Sequence, residues 1–176
     1  MRNWETLDAD VVLLMDRHFT PGRGGRGVER VVMHHNAAVL TVEQVHRVWQ
    51  DRPASAHYQV ESGGRIGQLV WDDDTAWHAA DPDVNQTSIG IEVSNSAGAE
   101  QDWPISDTAI EEAAHLAAAV CAHFDLGRPA AGTTIRWHSE FAATTCPYHL
   151  APGGRYHETF MDRAGHWFDE MTGAAG

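Results

Sequence analysis

The chain has 176 residues, and its hydrophobic content of 43% suits a single globular domain with one sizeable core. Its formal net charge is −13, and every basic residue is an arginine because the sequence contains no lysine. This balance argues against nucleic acid and against an anionic membrane surface as partners, since both are bound mainly by clustered basic residues.

The first part of the chain predicts a helix, a glycine-rich turn and a buried strand. Residues 7–18 have the spacing of a short amphipathic helix. Residues 21–27 match the G-x-G-x-x-G spacing of dinucleotide-binding loops, but they precede a strand instead of following one, so we interpret them as a flexible turn. Residues 28–35 are β-branched at their centre and predict a buried strand that ends at a polar His-His-Asn sequence.

The next part of the chain predicts one helix and one hairpin. Residues 41–49 open with a capping-box pattern, which favours a helix. Residues 56–61 and 65–71 predict two strands, and the Ser-Gly-Gly sequence at 62–64 between them is typical of a hairpin turn. The acidic run at 72–74 predicts a solvated turn.

Residues 88–94 predict a further strand, in which Ile89, Ile91 and Val93 alternate with small or polar residues. One face of this strand should therefore be buried. The other face carries Glu92, and the pattern taken alone favours a solvent-facing position for this carboxylate, because charged side chains are seldom buried.

The last third of the chain predicts two helices around a short strand. The longer helix begins at Ser106 or Thr108 and ends before Gly127. A strand follows at residues 133–137, and a final helix follows at residues 155–171.

These elements together predict an α/β fold in which one central mixed β-sheet is flanked by helices. No internal repeat or linker divides the sequence, so we expect a single domain over residues 1–172. The Gly/Ala-rich residues 173–176 are typical of the start of a linker or of a domain boundary.

Three residues of the type that binds zinc follow predicted strands or lie in a polar loop. His34 ends one strand, His138 directly follows another, and Cys146 lies in a Thr-rich loop before a proline. The carboxyl ends of strands are where open α/β sheets present their chemistry. Three protein ligands with a fourth position left to water are typical of catalytic zinc. The spacing by itself is compatible with a metal site but does not establish one.

Six short pieces of sequence occur in order between residues 29 and 147. They are Val31-Val32-Met33-His34-His35-Asn36-Ala37, Ser55-Ala56-His57-Tyr58, Gly64-Arg65-Ile66, Ala76-Trp77-His78-Ala79, Ser88-Ile89-Gly90-Ile91-Glu92, and His138 with Thr144-Thr145-Cys146-Pro147. In order and spacing they resemble the type 2 N-acetylmuramoyl-L-alanine amidases, which include phage lysins, bacterial muropeptide amidases and animal peptidoglycan recognition proteins. The stretch 53–60 looks most like the amidase domain of endolysins from phages of mycobacteria and related actinobacteria.

The resemblance implies a Zn²⁺ cofactor held by His34, His138 and Cys146. It also places Glu92 on the catalytic carboxylate of the bacterial muropeptide amidases, which replaces the expectation that this residue faces solvent. Some phage members use a lysine where this chain has Thr144. We expect the Thr144 hydroxyl to help stabilise the developing oxyanion.

Further positions follow from the same match. Ala56 stands where some phage members use a tyrosine, and Tyr148 stands where relatives usually have glycine, so we expect a different conformation just past Cys146. The side chains expected to line the substrate groove are His35 (in contact with substrate or supporting a ligand), Asn36, His57, Trp77 and His78.

The implied activity is hydrolysis of the amide between muramic acid and L-alanine in peptidoglycan. Residues 1–5 lack the basic start and apolar core of a signal peptide. We therefore expect a phage endolysin that stays in the host cytoplasm until a holin opens the membrane. An acidic protein is poorly suited to hold an anionic wall, so we expect a monomer that is targeted by a separate cell-wall-binding domain.

Three other functions stay open from the sequence. The chain could be a peptidoglycan-binding module without catalysis, although such modules typically lack the cysteine ligand. It could be a zinc endopeptidase that cuts within the stem peptide. A domain with a purely structural zinc is the least favoured, because it explains neither Glu92 nor the open fourth position.

Overall fold

Eight strands and four α-helices make up the regular structure of residues 7–173, the part of the chain that the computed structural model describes. The strands are β1 Val11–Val12, β2 Phe19–Thr20, β3 Arg30–His35, β4 Tyr58–Val60, β5 Ile66–Gln68, β6 Thr75–Ala76, β7 Ser88–Val93 and β8 Ile135–Trp137. The α-helices are α1 Val42–Asp51, α2 Pro82–Gln86, α3 Asp107–His123 and α4 His157–Thr172. Short 3-10 helices lie at Ala99–Gln101, His138–Glu140 and Tyr148–Leu150.

Six of the strands form one mixed sheet in the order β1-β5-β4-β7-β3-β8. The β4–β5 hairpin is antiparallel, and every other neighbouring pair in this sheet is parallel. The strands β2 and β6 form a separate antiparallel pair. Helices α3 and α4 pack on one face of the sheet and α1 packs on the other, which confirms the predicted α/β fold with a central mixed sheet.

The main core lies between the sheet and helices α3 and α4. Ile89, Ile91 and Val93 of β7 are fully buried in it, as predicted, although Ser88 and Gly90 between them are buried too. The small alanine side chains of α3 allow its backbone to approach the sheet closely. Cys121 of the same helix is buried in this core and acts as a packing residue.

Helix α1 covers the opposite face at the β5 edge of the sheet. It begins at the predicted capping box, in which the Thr41 side chain accepts from the Gln44 backbone. Val42 in its first turn packs directly over Gly67 of β5. A Cβ atom on Gly67 would lie only 2.4 Å from Val42 Cγ1, so this approach of helix to sheet requires glycine.

The helix predicted over residues 7–18 is wrong. Val11 and Val12 instead form β1, which pairs in parallel with Gly67 and Gln68 of β5. The backbone N–H of Leu13 continues this ladder by donating to Gln68 at 2.9 Å. A segment this short carries a weak helical signal, and the unpaired edge of β5 supplies hydrogen bonds that decide its conformation.

Most of the other predicted elements are present. The hairpin between β4 and β5 turns at Gly64, whose φ of +86° is a conformation that favours glycine. Helix α3 takes Ser106 as its N-cap, and residues 21–27 form turns, as predicted. The acidic run is only partly the solvated turn expected, because Asp72 is half-buried and accepts a hydrogen bond from the Tyr58 hydroxyl at 2.8 Å.

Over residues 7–173, no helix is both long enough and apolar enough to cross a membrane. The boundary expected at residues 173–176 lies almost wholly outside the described residues, as does the start of the expected domain, residues 1–6. The single-domain boundaries therefore stay a prediction.

Candidate active site

The register of three parallel strands brings the predicted site together at the carboxyl edge of the sheet. His34 of β3 lies directly opposite Glu92 of β7. On the other side of β3, Met33 lies opposite Trp137 of β8, and His138 follows immediately. Residues far apart in sequence thus become neighbours through strand pairing, at the edge where the sequence placed them.

His34, His138 and Cys146 form the one group of metal-binding type found among the described residues. One ligand atom from each lies within 4.8 Å of the others. The Cys146 Sγ is 3.8 Å from Nδ1 of His34, and the rings of His34 and His138 have centroids 4.5 Å apart. Two imidazoles and one thiol converging in this way are a donor set that suits Zn²⁺.

The protonation of these groups also suits a metal. Burial lowers the pKa of His34 well below its usual value, and the neighbouring histidines lower it further. Burial lowers the pKa of His138 as well, and the charge of Arg52 adds to this effect. Both rings are therefore neutral at pH 7, which is the form that binds metals.

Cys146 is a thiol in the metal-free protein. Burial raises its pKa, and the Glu92 carboxylate raises it further. The backbone N–H of His35 lies 3.4 Å from the sulfur and would stabilise a thiolate. A bound cation is therefore needed to displace the proton, so metal binding at this site is coupled to proton release.

Glu92 faces the cleft from β7 and is half-buried. Burial raises its pKa from 4.5 to about 7, while the Arg52 charge and a hydrogen bond from Asn36 oppose this rise. The solvent-facing position that the strand pattern favoured is therefore wrong. A carboxylate with a pKa near the working pH is suited to general acid–base chemistry.

Two amide side chains hold the Glu92 carboxylate in place. Asn36 Nδ2 donates to Glu92 Oε2 at 2.9 Å, and Gln59 Nε2 donates to Asn36 Oδ1 at 2.6 Å. Gln59 is fully buried and lies opposite Glu92 in the β4–β7 register. The sequence predicted Asn36 as a groove residue but missed Gln59, although the alternation of β4 places Gln59 on the same face as Glu92.

The site opens into a cleft of about 510 Å³ between the end of β3, helix α1 and the Cys146 loop. Of the predicted site residues, only His57 does not line it. Arg52, at the end of α1, also lines the cleft and was not predicted. Its lining residues are His34, His35, Asn36, Ala37, Ala38, Leu40, Val45, Val48, Trp49, Arg52, Ala54, Ser55, Trp77, His78, Glu92, His138, Thr144, Thr145 and Cys146.

His57 was predicted to contact substrate, but the structure places it beneath the cleft. It is 0% exposed, and its Nδ1 accepts from the Gly90 backbone at 3.0 Å. Its Nε2 lies 2.9 Å from the guanidinium of Arg23, which is also buried. Burial lowers the pKa of His57 to about 3. This histidine is a buried neutral group of the fold rather than a groove residue.

The other predicted groove residues differ in what they offer. Trp77 is 38% exposed, and its indole N–H donates to Thr20 Oγ1 at 3.0 Å, so its ring is fixed at the rim. His78 is 7% exposed and bonds to His34 rather than opening widely to the cleft. The His35 ring packs near Trp103 and Tyr148, while its backbone serves Cys146.

The loop that carries Cys146 is a series of bends and turns. Thr144 is exposed at the cleft, and its hydroxyl oxygen accepts from the Cys146 backbone N–H at 3.2 Å. This bond leaves the hydroxyl hydrogen of Thr144 available to a substrate. The expected role of Thr144 at the oxyanion stays a prediction.

Tyr148 has a backbone conformation that is unusual for a residue other than glycine. The difference from relatives expected just past Cys146 stays a prediction. The φ of Tyr148 is +54°, which lies in the left-handed region that glycine favours. The Tyr148 hydroxyl donates to Asp102 at 2.8 Å, and Asp102 also accepts from His149 and Arg155. These bonds to one carboxylate hold the unfavourable backbone conformation just past Cys146.

Comparison with known protein families gives a match that spans the candidate site. A family model described as N-acetylmuramoyl-L-alanine amidase matches residues 24–149, which include all three candidate ligands and Glu92. The chain belongs to the N-acetylmuramoyl-L-alanine amidase family. This match confirms the family that the sequence resemblance predicted, and the residues that line the cleft all fall within it.

Solved structures with the same fold include several endolysins and a bacterial hydrolase. A mutant endolysin from Bacillus subtilis superposes with a TM-score of 0.67 at 20% identity, covering 90% of this amidase chain and 100% of its own. The Staphylococcus aureus hydrolase AmiA, in complex with its ligand, gives 0.70 at 18%, with 94% and 87% covered. The Ph2119 endolysin from a Thermus scotoductus MAT2119 bacteriophage gives 0.64 at 18%, with 88% and 99% covered. These likenesses show that the amidase chain shares their fold.

Proposed function

We propose that the chain is a zinc-dependent enzyme that hydrolyses the amide between N-acetylmuramic acid and L-alanine in peptidoglycan. The observation that carries this proposal is the convergence of His34, His138 and Cys146 within 4.8 Å in a cleft that also contains Glu92. Membership of the amidase family supports the choice of bond.

His34, His138 and Cys146 would hold the ion. When bound, zinc supplies Lewis acidity that polarises the scissile carbonyl and makes a water molecule more acidic. The low pKa values of the two histidines keep their lone pairs free for this role. The His35 backbone N–H stabilises the cysteine in its deprotonated form.

Glu92 acts as the general base and then as the general acid. Its carboxylate takes a proton from the attacking water and returns it to the leaving nitrogen of L-alanine. Asn36 engages Oε2 of Glu92, which directs the other carboxylate oxygen, Oε1, to the proton. The raised pKa of Glu92 suits both halves of this cycle, because the group can gain and lose a proton near pH 7.

Thr144 is placed to donate its hydroxyl hydrogen to the oxygen of the scissile carbonyl as negative charge develops there. Its oxygen is already engaged by the Cys146 backbone, which fixes the hydroxyl at the cleft. A hydroxyl in place of lysine adds no positive charge near Glu92. Thr144 therefore does not add to the positive charge that lowers the pKa of Glu92.

The walls of the cleft suit a muramyl peptide. Val48, 44% exposed, and Trp77 present apolar surface, while Arg52 is the only arginine among residues 7–173 that lines the cleft. Sugar rings and alanine side chains pack on such apolar surface, and an arginine attracts the carboxylates of a stem peptide. His35 is proposed to support Cys146 rather than to contact substrate.

The biological role that we propose is that of a phage endolysin, acting on the host wall after release from the host cytoplasm through a holin-opened membrane. The endolysins among proteins of the same fold are consistent with this role. We also propose that the enzyme is a monomer and that a separate domain targets it to the wall, because a net charge of −13 disfavours binding to an anionic wall.

Digestion of purified peptidoglycan, followed by mass spectrometry, tests the bond that is cut. We expect stem peptides with a free N-terminal L-alanine and intact glycan strands. New N-termini within the stem would indicate an endopeptidase instead. Wall binding without any released product would indicate a binding module.

Chelation and substitution test the catalytic groups. Removing the metal with a chelator should abolish turnover, and adding Zn²⁺ should restore it. Glu92→Ala should keep zinc and lose turnover, whereas Cys146→Ser should weaken zinc binding. Lysis at the wild-type rate by Glu92→Ala would show that Glu92 is not the base.

A further inference from the structure

A chain of hydrogen bonds runs from the backbone of α2 to Nε2 of His34, the ring nitrogen that faces away from Cys146. Ser88 Oγ lies 2.5 Å from the Val84 carbonyl oxygen and 3.1 Å from Nε2 of His78. His78 Nδ1 in turn lies 3.1 Å from Nε2 of His34. The remaining ring nitrogen of His34, Nδ1, faces the Cys146 sulfur.

The direction of every bond in this chain follows from its first member. A carbonyl oxygen only accepts, so the Ser88 hydroxyl must donate to Val84. The Ser88 oxygen is then free to accept the Nε2–H of His78. A neutral imidazole has one N–H, so Nδ1 of His78 carries a lone pair and accepts the Nε2–H of His34. This leaves the lone pair of His34 on Nδ1.

The His78 ring is held in one position, so these hydrogen bonds do not depend on a mobile side chain. It is 7% exposed, and its backbone N–H donates to Asn85 Oδ1 at 3.1 Å. Its ring lies on the bare backbone of Gly90, where a Cβ atom would be only 2.7 Å from His78 Cγ. Larger residues at 90 would therefore displace the ring.

We propose that Ser88 and His78 are positioning residues that fix His34 in the Nε2–H tautomer, with Nδ1 presented to the metal. Ligating histidines generally donate their second ring nitrogen to a carboxylate, a carbonyl or water, and here a second imidazole takes that place. This inference rests on the proposed metal site. It assigns His78 to the support of His34, whereas the sequence had assigned it to the groove.

The tautomers can be read directly in the metal-free wild-type protein. Long-range ¹H–¹⁵N correlation spectra of the imidazole groups distinguish Nδ1–H from Nε2–H rings. We expect both His34 and His78 to carry their protons on Nε2. A proton on Nδ1 of either ring would overturn the proposal, whatever the metal affinity of the protein.

Two substitutions of similar size distinguish loss of the hydrogen-bond acceptor at His78 from a change in the packing of its side chain. His78→Leu removes the acceptor, while His78→Asn keeps an oxygen able to accept near the position of Nδ1. We expect zinc affinity, measured by competition with a chelator, to fall about 10- to 100-fold in His78→Leu and to recover most of that loss in His78→Asn. Equal affinity in both variants would overturn the proposal.

Ser88→Ala keeps His78 and tests the same series of hydrogen bonds. It remains informative if His78→Leu fails to fold. Without the hydroxyl, the His78 proton is free to move to Nδ1, so the spectra should show a mixed or inverted His34 tautomer and weaker zinc binding. Unchanged tautomers in Ser88→Ala would overturn the proposal. His166→Leu, which removes an exposed histidine of α4, is the matched control and should bind zinc like the wild type.

The two proposals fail in different ways. If wild-type protein binds no zinc, the proposed function is wrong, and the spectra still decide whether Ser88 and His78 set the His34 tautomer. If zinc binds and restores activity but the tautomers or the variants behave otherwise, only the positioning role is wrong.

Discussion

Asn36 donates one amide hydrogen to Glu92 and receives another from Gln59, so it links the carboxylate to a fully buried side chain. This link orients Glu92 and stabilises its charged form. Asn36, directly after β3, thus orients the Glu92 carboxylate of β7. The three consecutive residues His34, His35 and Asn36 each contribute a different contact to the site. The His34 ring belongs to the candidate metal site, the His35 backbone N–H lies at the Cys146 sulfur, and the Asn36 amide holds the Glu92 carboxylate.

Asn36→Ala should therefore raise the pKa of Glu92, because the hydrogen bond from Asn36 favours the charged carboxylate. The acidic limb of the pH–kcat/KM profile should move to higher pH, and kcat should fall by roughly 10-fold from loss of orientation. A pH-rate profile with a soluble muramyl peptide measures both. Unchanged zinc affinity is the control, and an unmoved acidic limb would contradict the role of Asn36.

Glu92→Gln should lower kcat by about 10²- to 10⁴-fold, yet it should stabilise the metal-free protein. Burial raises the folded-state pKa of Glu92 to about 7, above its usual 4.5. The folded protein then binds this proton more tightly than the unfolded chain does, so its stability falls as pH rises from about 4.5 through 7. In Glu92→Gln the side chain does not ionise, so this loss of stability at high pH is absent.

Calorimetry of metal-free wild type and Glu92→Gln at pH 5 and pH 8 tests the direction in which stability changes with pH. We expect the variant to have a Tm higher by on the order of a few degrees at pH 8, with a smaller gap at pH 5. A larger gap at pH 5 would show that the burial of Glu92 does not raise its pKa.

Arg52→Gln should also shift the acidic limb upward. Burial raises the pKa of Glu92, and the positive charge of Arg52 partly offsets that rise, so its loss leaves a weaker acid. Arg47→Gln is the matched control, because Arg47 is an exposed arginine of the same helix that does not line the cleft. Both variants change the net charge equally.

The shift from Arg52→Gln should shrink at high salt, since an exposed charge acts through screened solvent. Equal pH profiles for the two arginine variants would show that Arg52 has no specific effect on the base. A rise in KM in the Arg52 variant alone would support its contact with a carboxylate of the substrate.

Gly67→Ala should destabilise the fold by about 1–3 kcal/mol, because its Cβ would overlap the Val42 side chain across the α1–β5 contact. Val42→Ala removes the opposing methyl groups, so the double variant should recover part of that loss. Urea unfolding of both singles and the double measures the coupling. Strict additivity would contradict the contact, and Gly63→Ala, which meets nothing within 4 Å, should be near neutral.

The sequence was informative where local pattern and long-range structure agree. The β-branched centre of β3 and the alternation of β7 predicted buried strands, and these strands deliver His34 and Glu92. Their pairing could only be inferred from resemblance, because register depends on contacts that a pattern does not record. Gln59 was missed for this reason, although it lies opposite Glu92.

Short segments were the least predictable. Residues 7–18 have helical spacing, yet β1 forms because the edge of β5 is available for pairing. Arg52 follows α1, and nothing in its neighbours along the chain indicates that it reaches the cleft. The sequence motif around His57 predicted a groove residue. Its burial below the cleft depends on how the sheet packs, which the motif does not record.

The separation of the ligands along the chain has a consequence for synthesis. His34 and Cys146 are 112 residues apart, and Cys146 follows β8, the strand that pairs with β3 on the side away from β7. A nascent chain whose last third is still inside the ribosome therefore exposes a single ligand and cannot retain the ion. Metal binding at the proposed site would therefore be a late event that follows completion of the sheet, and an incomplete chain would lack the proposed activity.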